Sequence, residues 1–338
     1  MSTDPPAPPF PVSDHCDGRT FFPAPGQLAA PGFLSLPKWW WQRMTQGRGT
    51  PWPAATTASG PASATPVLPA AVPASQVAAT FIGHSTFLLQ TAGLNLLTDP
   101  VLSDRASPFT WAGPRRLVPP ALTLAQLPRI DVVVLSHNHY DHLDLASLRW
   151  LARERQPQIV TTLGNKAWLE KRGVGRVAEL DWWQARRVSR ELEVVVTPAQ
   201  HFSARTPWDR CRTLWGGFAL NLPAGRVYFA GDSGYCETFR EIGARLGPFD
   251  LALLPIGAYE PRWFMRPVHC TPAEAVKVHR DVRARASLAM HFGCFPLADD
   301  APGQAEADFL AARAAAGLTA AEFALPLVGG TTWHRLAG

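Results

Sequence analysis

The chain of 338 residues has few cysteines, few tyrosines and few charged side chains. Its five cysteines are an odd number, and no two of them stand at Cys-x-x-Cys spacing. A complete disulfide framework and a cysteine-rich structural zinc site are therefore both disfavoured. We expect reduced thiols, as is usual in the cytoplasm.

Long hydrophobic segments are also missing. The sequence begins MSTDPPAPP, without the basic and apolar regions of a secretory signal. No apolar run approaches the roughly 20 residues that a membrane-spanning helix requires. The sequence thus predicts a cytoplasmic protein with neither a signal peptide nor a transmembrane helix.

The charge balance excludes few partners by itself. Charged residues make up 17% of the chain, and 32 basic against 27 acidic residues give a formal net charge of +5. The basic residues are mostly arginine and are dispersed, so we predict no nucleic-acid partner. The excess suits an anionic surface or substrate. Hydrophobic residues make up 46% of the chain, which is enough for a sizeable core and excludes global disorder.

Proline is concentrated near the N-terminus. Ala54–Ser75 is an uncharged tract of alanine, proline, serine and threonine without a helical period, which is typical of a linker or a loose surface loop. From about residue 77 onward, short apolar strands alternate with helices, which favours one α/β domain. We therefore predict an N-terminal arm and linker over residues 1–76 and a catalytic domain over 77–338.

Tryptophan is abundant, with 13 residues against four tyrosines. Trp39, Trp40 and Trp41 stand together between Lys38 and Arg43. One interpretation is an arm that packs its aromatic side chains against the body of the protein. The other is a peripheral membrane contact, because indole rings suit the headgroup boundary and the neighbouring cations suit anionic lipid. The second interpretation places the protein at the inner membrane surface.

The strongest functional pattern is the run Ser136-His137-Asn138-His139-Tyr140-Asp141-His142, which directly follows the apolar strand predicted over Asp131–Ser136. In α/β proteins, ligands bind beyond the carboxyl ends of such strands. Three imidazoles and one carboxylate suit zinc, or manganese or iron as neighbouring alternatives. The motif therefore predicts a metal site.

One short loop cannot surround a metal, so other strand ends must supply further ligands. His201 follows a strand predicted over Val194–Thr197, Asp232 follows Val227–Ala230, and His291 follows Leu288–Met290. Each of these residues alone would more often be a core histidine or a turn aspartate. The HxHxDH motif makes all three stronger candidates for metal ligands, because its metal site needs further histidine and aspartate ligands.

Further stretches are distinctive beyond the metal loop: IGHST (82–86), LTDP (97–100), GDSGYC (231–236) and PIGAYEPRWFM (255–265). On these stretches and the HxHxDH motif, the chain resembles the metallo-β-lactamase superfamily. Within that superfamily it is similar to the N-acylphosphatidylethanolamine-hydrolysing phospholipase D family, over roughly residues 81–295. The resemblance implies an αββα four-layer sandwich with the active site at one edge of two mixed sheets.

The resemblance also implies a site for two divalent metal ions. One metal would be bound by His137, His139 and His201, and the other by Asp141, His142 and His291. Asp232 would bridge the two metals together with a water or hydroxide. Asp99 and His84 match positions that support the ligands from behind, where a carboxylate can orient an imidazole through its second N–H.

The expected reaction is hydrolysis of a phosphodiester of N-acylphosphatidylethanolamine-like phospholipids by the metal-bridging hydroxide. His269, Tyr259 and Arg262 belong to the family-like segments and are candidates, with Asp232, for catalysis: they would hold the phosphate or protonate the leaving group. His269 as a structural residue at a helix entry remains the alternative.

Two other interpretations stay open. The same metal site could hydrolyse a small soluble lactone, ester or phosphodiester. A metal-binding scaffold without catalysis would be expected to lack a ligand, and none of the predicted ones is missing. The sequence is compatible with a homo-oligomer.

Overall fold

The computed structural model describes residues 8–32, 34–45 and 63–337. Within these ranges the chain forms two seven-stranded mixed sheets with helices packed against them. The predicted αββα sandwich is confirmed. The helices are α1 (Ser35–Thr45), α2 (Leu145–Glu154), α3 (Lys166–Glu170), α4 (Thr238–Arg245), α5 (Arg262–Met265), α6 (Pro272–Asp281) and α7 (Gln304–Ala315).

The strands of the first sheet are β1 (Gln76–Gly83), β2 (Thr86–Thr91), β3 (Leu94–Thr98), β4 (Val132–Leu135), β5 (Gln158–Thr162), β6 (Val177–Leu180) and β14 (Thr331–Arg335). Those of the second are β7 (Ala185–Arg187), β8 (Glu193–Thr197), β9 (Gly217–Leu222), β10 (Gly225–Phe229), β11 (Phe249–Pro255), β12 (Ala284–Met290) and β13 (Phe323–Ala324).

The two sheets share one pairing pattern. The first runs β14-β1-β2-β3-β4-β5-β6, antiparallel as far as β3 and parallel from β3 to β6. The second runs β7-β8-β9-β10-β11-β12-β13, antiparallel as far as β10 and parallel beyond it. Each sheet thus has a half whose strands end at the same edge.

Strand β4 contributes to a hydrophobic cluster on each face of the first sheet. Val132 and Val134 point into the large hydrophobic cluster between the sheets, whereas Val133 and Leu135 join a second cluster with Leu148 of α2. A strand buried on both faces has a continuous apolar sequence, and this is the pattern of the strand predicted over Asp131–Ser136. The metal loop therefore starts from one of the most enclosed positions in the fold.

The N-terminal segment is attached to the body. Cys16 and Phe21 are buried in the large cluster, and the amide of Phe21 donates to the carbonyl of Cys211 at 2.8 Å. The predicted boundary between residues 76 and 77 stays a prediction. Part of the predicted linker, residues 54–62, lies outside the described residues.

His15 holds this segment in place through two carboxylates. Its Nδ1 lies 2.7 Å from Asp14 Oδ1, its Nε2 lies 2.8 Å from Asp181 Oδ1, and its ring stacks on Trp182. Burial lowers the pKa of His15, but the hydrogen bonds with Asp181 and Asp14 outweigh this, and its pKa is raised above 6.5. The folded state therefore prefers the protonated imidazole.

We expect His15 to stabilise the fold more at acid than at alkaline pH. Because its pKa is raised on folding, its contribution is complete below the unfolded value and is lost as the pH rises through the folded value. Urea unfolding of wild type and His15→Gln should give a larger difference at about pH 6 than at about pH 9. His334→Gln is a control of opposite sign, since burial lowers the pKa of His334 to about 4. Equal differences for His15→Gln at both pH values would contradict this role.

Candidate metal centre

The histidine loop is fixed at both of its ends. At its start, β4 places His137 directly beyond the sheet; at its end, Asp144 caps α2 by accepting from the amide of Ala146 at 3.1 Å. Within the loop, the amide of His142 donates to the carbonyl of His139 at 3.1 Å. This turn directs the loop side chains toward a common point.

Three imidazoles form the first group of candidate ligands. His139 Nδ1 lies 2.9 Å from His137 Nε2 and 3.2 Å from His201 Nε2, so the three nitrogens converge. The other nitrogen of His201 donates to the carbonyl of Val268 at 2.8 Å, which directs Nε2 to the cluster. Burial lowers the pKa of His139 to about 3 and that of His201 to about 4. Both imidazoles are therefore neutral at physiological pH, as metal ligands must be.

The second group collects around Asp141. Its Oδ2 lies 3.1 Å from His84 Nε2, 3.3 Å from His291 Nε2 and 3.4 Å from His142 Nε2. All four side chains are buried, and their donor atoms lie within 4.8 Å of one another. His84, predicted as a supporting residue, is thus as close to Asp141 as the predicted ligands His142 and His291 are.

Asp232 lies between the two groups. Its Oδ2 is 3.0 Å from both His142 Nε2 and His291 Nε2, and 3.9 Å from His201 Nε2. Burial would raise the pKa of Asp232, but the charges of His142 and His291 hold it well below its usual range. The side chain is therefore an anion that lies close to histidines of both groups.

The approach of Asp232 depends on the residue before it. Gly231 has φ +60°, and a Cβ there would lie 2.8 Å from both the carbonyl oxygen of Gly216 and the Cβ of Ser136. Only glycine fits this combination of dihedral angle and contact. The turn after β10 can therefore bring Asp232 against the histidine loop.

Asp99, predicted as a supporting residue, lies behind the histidine loop, in contact with Ser136 and His142. Its buried carboxylate accepts from the amide of Ser136 at 2.8 Å and from His142 Nδ1 at 2.6 Å. A carboxylate on one ring nitrogen leaves the other nitrogen as a lone-pair donor. Asp99 therefore fixes the tautomer in which His142 presents Nε2 to Asp141 and Asp232.

The three predicted catalytic residues beside Asp232 have different surroundings. His269 is brought to the centre, with Nδ1 at 3.9 Å from Asp232 Oδ2. The hydroxyl of Tyr259 instead donates to Asp308, and Arg262 pairs with Glu274 at 3.0 Å. Arg262 also donates to the carbonyl of His269 at 2.9 Å. It therefore holds the backbone of His269, while its charge is directed at Glu274.

Sequence reasoning gave no role to Arg205. Its Nη1 donates to the carbonyls of Asn138 and Leu143, at 2.7 and 2.8 Å, and its guanidinium lies 3.9 Å from the centre of the Tyr140 ring. The cation thus clamps the metal loop by its backbone. The sequence contains no signal for this, because carbonyl oxygens of any residue type can accept.

The residues fit divalent cations. Several buried atoms of the centre have no hydrogen-bond partner among the described residues, including His142 Nε2, Asp232 Oδ1 and His269 Nδ1. Buried polar atoms without partners are costly, and a coordinated cation would satisfy them. Neutral imidazoles with carboxylates suit zinc, manganese or iron, and this donor set alone does not separate them.

An apolar cavity of about 300 Å³ opens onto this centre. On one side it is lined by His139, Asp141, His201, Asp232 and His269, and on the other mainly by apolar residues, namely Pro31, Leu36, Trp39, Phe202, Phe264, Met265, Val268 and Leu297. A larger cavity, of about 570 Å³, is lined by Tyr140, Asp144, Trp168 and Arg205 among others, but by none of the candidate ligands. The smaller cavity is therefore the candidate substrate site.

The chain is similar in sequence to several known proteins. The chain is 44% identical over 230 residues to N-acyl-phosphatidylethanolamine-hydrolyzing phospholipase D 1 of Caenorhabditis elegans, covering 65% of this chain and 64% of that protein. It is 45% identical over 261 residues to an uncharacterized protein of Mycobacterium tuberculosis, covering 76% and 68% of the two chains. The matched region thus spans less than two thirds of the nematode protein.

The fold is shared with solved structures of lower sequence identity. The isothiocyanate hydrolase from Delia radicum gut bacteria superimposes with a TM-score of 0.63 at 20% identity, covering 77% of this chain and 99% of that one. A family profile described as the β-lactamase superfamily domain matches residues 94–292, which include Asp99 and every predicted metal ligand. The chain belongs to the β-lactamase superfamily.

Proposed function

We propose that the chain is a metal-dependent phosphodiesterase of the phospholipase D type that cleaves N-acylphosphatidylethanolamine-like phospholipids. The observation that carries this proposal is the cavity in which a buried histidine–aspartate centre faces an apolar wall. An amphiphilic phosphodiester offers both parts that such a cavity accommodates: an anionic phosphate for the centre and an acyl chain for the wall.

In this proposal two divalent cations, zinc first and manganese or iron as alternatives, are bound by the two groups. His137, His139 and His201 would hold one, Asp141, His142 and His291 the other, and Asp232 would contact both. Such a pair supplies a water that is deprotonated near neutral pH and positive charge for the phosphoryl oxygens. Burial lowers the pKa of His139 and His201, whereas at His142 and His291 the carboxylates of Asp232 and Asp141 outweigh burial and raise it. Binding of a cation by His142 and His291 would therefore displace their protons.

We assign the movement of a proton to His269. It lines the cavity, and its Nδ1 faces Asp232 Oδ2 at 3.9 Å. Departure of the alcohol from phosphorus needs a proton on the leaving oxygen. Burial holds the pKa of His269 well below 6.5, so its imidazole starts neutral; it can accept the proton that the attacking water loses and deliver it to the leaving oxygen. Arg262 would act on this step through the backbone of His269, because its charge is paired with Glu274.

The substrate class is supported by similarity. The nematode relative carries N-acyl-phosphatidylethanolamine hydrolysis in its name, and so does a mitochondrial protein of Saccharomyces cerevisiae that is 36% identical over 227 residues. The match covers 65% of this chain and 48% of the yeast protein. Residues 94–292, where the superfamily profile matches, contain every predicted metal ligand but exclude His84 and the cavity residues contributed by the N-terminal segment.

We further propose that the protein is cytoplasmic and binds the inner membrane surface through α1. The structure distinguishes between the three consecutive tryptophans: Trp39 packs on Phe264, whereas Trp40 and Trp41 are 64% and 59% exposed. None of the helices in the described ranges has the length and apolar character needed to cross a bilayer. Exposed indoles beside Lys38 suit the headgroup boundary of anionic lipid.

A hydrolysis panel on the metal-assayed protein tests the function. We expect N-acylphosphatidylethanolamine in mixed micelles to yield phosphatidic acid and an N-acylethanolamine, measured by mass spectrometry. A soluble phosphodiester should be cleaved more slowly, and a lactone not at all. Equal turnover of the soluble diester with no lipid product, or preferential lactone opening, would contradict the proposal. His269→Gln should lower turnover of the lipid without loss of bound metal.

A further inference from the structure

We infer that α1 is a lid over the active-site cavity and that docking of its outer face on an anionic lipid surface opens it. This inference rests on the proposed function, because it concerns access to the same site. Leu36 and Trp39 of the helix, together with Pro31 and Gly32 before it, form part of the cavity wall. The helix therefore covers space that a substrate would occupy or pass through.

The inner face of α1 is attached mainly through one buried carboxylate. The side chain of Asp299 is 4% exposed; its Oδ2 accepts from Trp39 Nε1 at 2.8 Å, and its Oδ1 lies 3.1 Å from Arg43 Nε. Trp39 also stacks on Phe264 of α5, with ring centres 5.0 Å apart. The polar contacts of Trp39 and Arg43 therefore converge on a single side chain of the body.

The rest of the helix is weakly anchored. No residue of α1 is fully buried. A surface helix in a globular protein usually buries an apolar stripe, and most of its stability comes from that packing. Besides the contacts of Trp39 and Arg43, Gln42 accepts from Trp263 Nε1 at 2.9 Å. Such a helix can leave the body at a lower cost than α2 or α6, which bury several side chains.

The outer face has the composition of a lipid-docking surface. Trp40, Trp41 and Met44 are exposed on it, and Leu34 is exposed just before the helix. The helix carries no acidic residue, and its two basic residues, Lys38 over the Trp263 ring and Arg43 beside Asp299, would be released to anionic lipid when the helix detaches. Exposed indoles with basic neighbours partition into the interface of anionic bilayers. We therefore commit to a phospholipid surface as the partner of this face.

The outer face of α1 favours the detached position of the helix, and the inner face favours the attached position. Insertion of Trp40 and Trp41 into a bilayer favours a position of α1 in the interface, whereas Trp39 and Arg43 hold it against Asp299. A surface that binds the outer face more tightly in the detached arrangement shifts the lid toward that arrangement. The cavity would then open where an amphiphilic substrate is available.

The test measures hydrolysis of a water-soluble phosphodiester by the metal-loaded full chain, with and without phosphatidylserine-containing vesicles. We expect vesicles to raise turnover several-fold. The double variant Trp40→Ser/Trp41→Ser should lose this stimulation and sediment less with vesicles. Trp333→Ser is the matched control, because Trp333 is 49% exposed on β14, away from the cavity lining. It should keep both properties.

The attachment is tested from both sides. Asp299→Asn and Arg43→Gln each break the ion pair, and both are expected to raise turnover without vesicles and to reduce the stimulation. Arg43 lies on the surface, so Arg43→Gln is expected to fold and still tests the attachment if Asp299→Asn does not fold. Amide exchange of α5, which Trp39 covers, should also increase with vesicles in the wild type and not in the double tryptophan variant.

The lid is contradicted if vesicles leave both diester turnover and α5 exchange of the wild type unchanged, or if both attachment variants keep wild-type stimulation. Its failure is distinguishable from that of the proposed function. If the protein cleaves N-acylphosphatidylethanolamine but vesicles change neither diester turnover nor amide exchange of α5, the lid is refuted and the proposed function stands. If vesicles stimulate diester turnover but the lipid is not cleaved, the proposed substrate is refuted and the lid stands.

Discussion

Asp232→Asn is expected to lower turnover by roughly 10³-fold or more, because it neutralises an anion that lies between the two ligand groups. The amide keeps the size of the side chain, so the packing around Gly231 is preserved. It cannot provide negative charge at the position 3.0 Å from both His142 Nε2 and His291 Nε2. Metal content per chain should fall with turnover, as it should for His139→Ala.

The control for this substitution is Asp250→Asn. Asp250 is a buried carboxylate at the start of β11 that accepts from the amide of Arg226 at 2.8 Å and pairs with Arg285. Its replacement should cost stability without changing bound metal or turnover. Turnover retained by Asp232→Asn after its metal is lost would refute the two-metal mechanism.

Asp99→Asn is expected to weaken metal affinity by roughly 10- to 100-fold, although Asp99 is a supporting residue. The carboxylate accepts from His142 Nδ1 at 2.6 Å and from the amide and hydroxyl of Ser136. An amide can still accept one of these bonds, but it no longer stabilises the imidazole as a charged acceptor does. His142 would then lose its preference for the tautomer that presents Nε2.

Competition with a chromophoric chelator measures this loss, and Asp250→Asn again serves as the matched substitution. Supplying excess metal should restore most of the turnover of Asp99→Asn but not that of Asp232→Asn. Restoration of neither variant, or of both equally, would show that Asp99 does not act through the orientation of His142.

The sequence was most informative where histidine or aspartate residues follow the end of a predicted strand. The HxHxDH run follows β4, which was predicted over Asp131–Ser136 and forms over Val132–Leu135. His291 directly follows β12, and Asp232 stands three residues beyond β10. Each of these strands pairs in parallel with at least one neighbour. Because ligands bind beyond the carboxyl ends of such strands, residue types that bind metal could be grouped without coordinates.

Local patterns failed where long-range contacts decide the structure. Three consecutive tryptophans show no helical period, and α1 was not predicted; its inner face is defined by Asp299 and Phe264, which are more than 200 residues away in the sequence. Tyr259 and Arg262 lie in a family-like segment, but their partners Asp308 and Glu274 are apparent only in the structure. The side-chain directions of such loop residues depend on tertiary packing.

Strand β14 illustrates the same limit and has a consequence for biosynthesis. Thr331–Arg335 pairs antiparallel with β1, with Gln76 opposite Arg335 and Thr80 opposite Thr331. The edge of β1 that does not face β2 is thus paired by a segment that leaves the ribosome about 250 residues after β1. Until then, β1 presents unpaired amides and carbonyls beside buried apolar side chains, a template for pairing between chains. The interval of synthesis between Gly83 and Arg335 is accordingly the period in which the nascent protein most needs protection from aggregation.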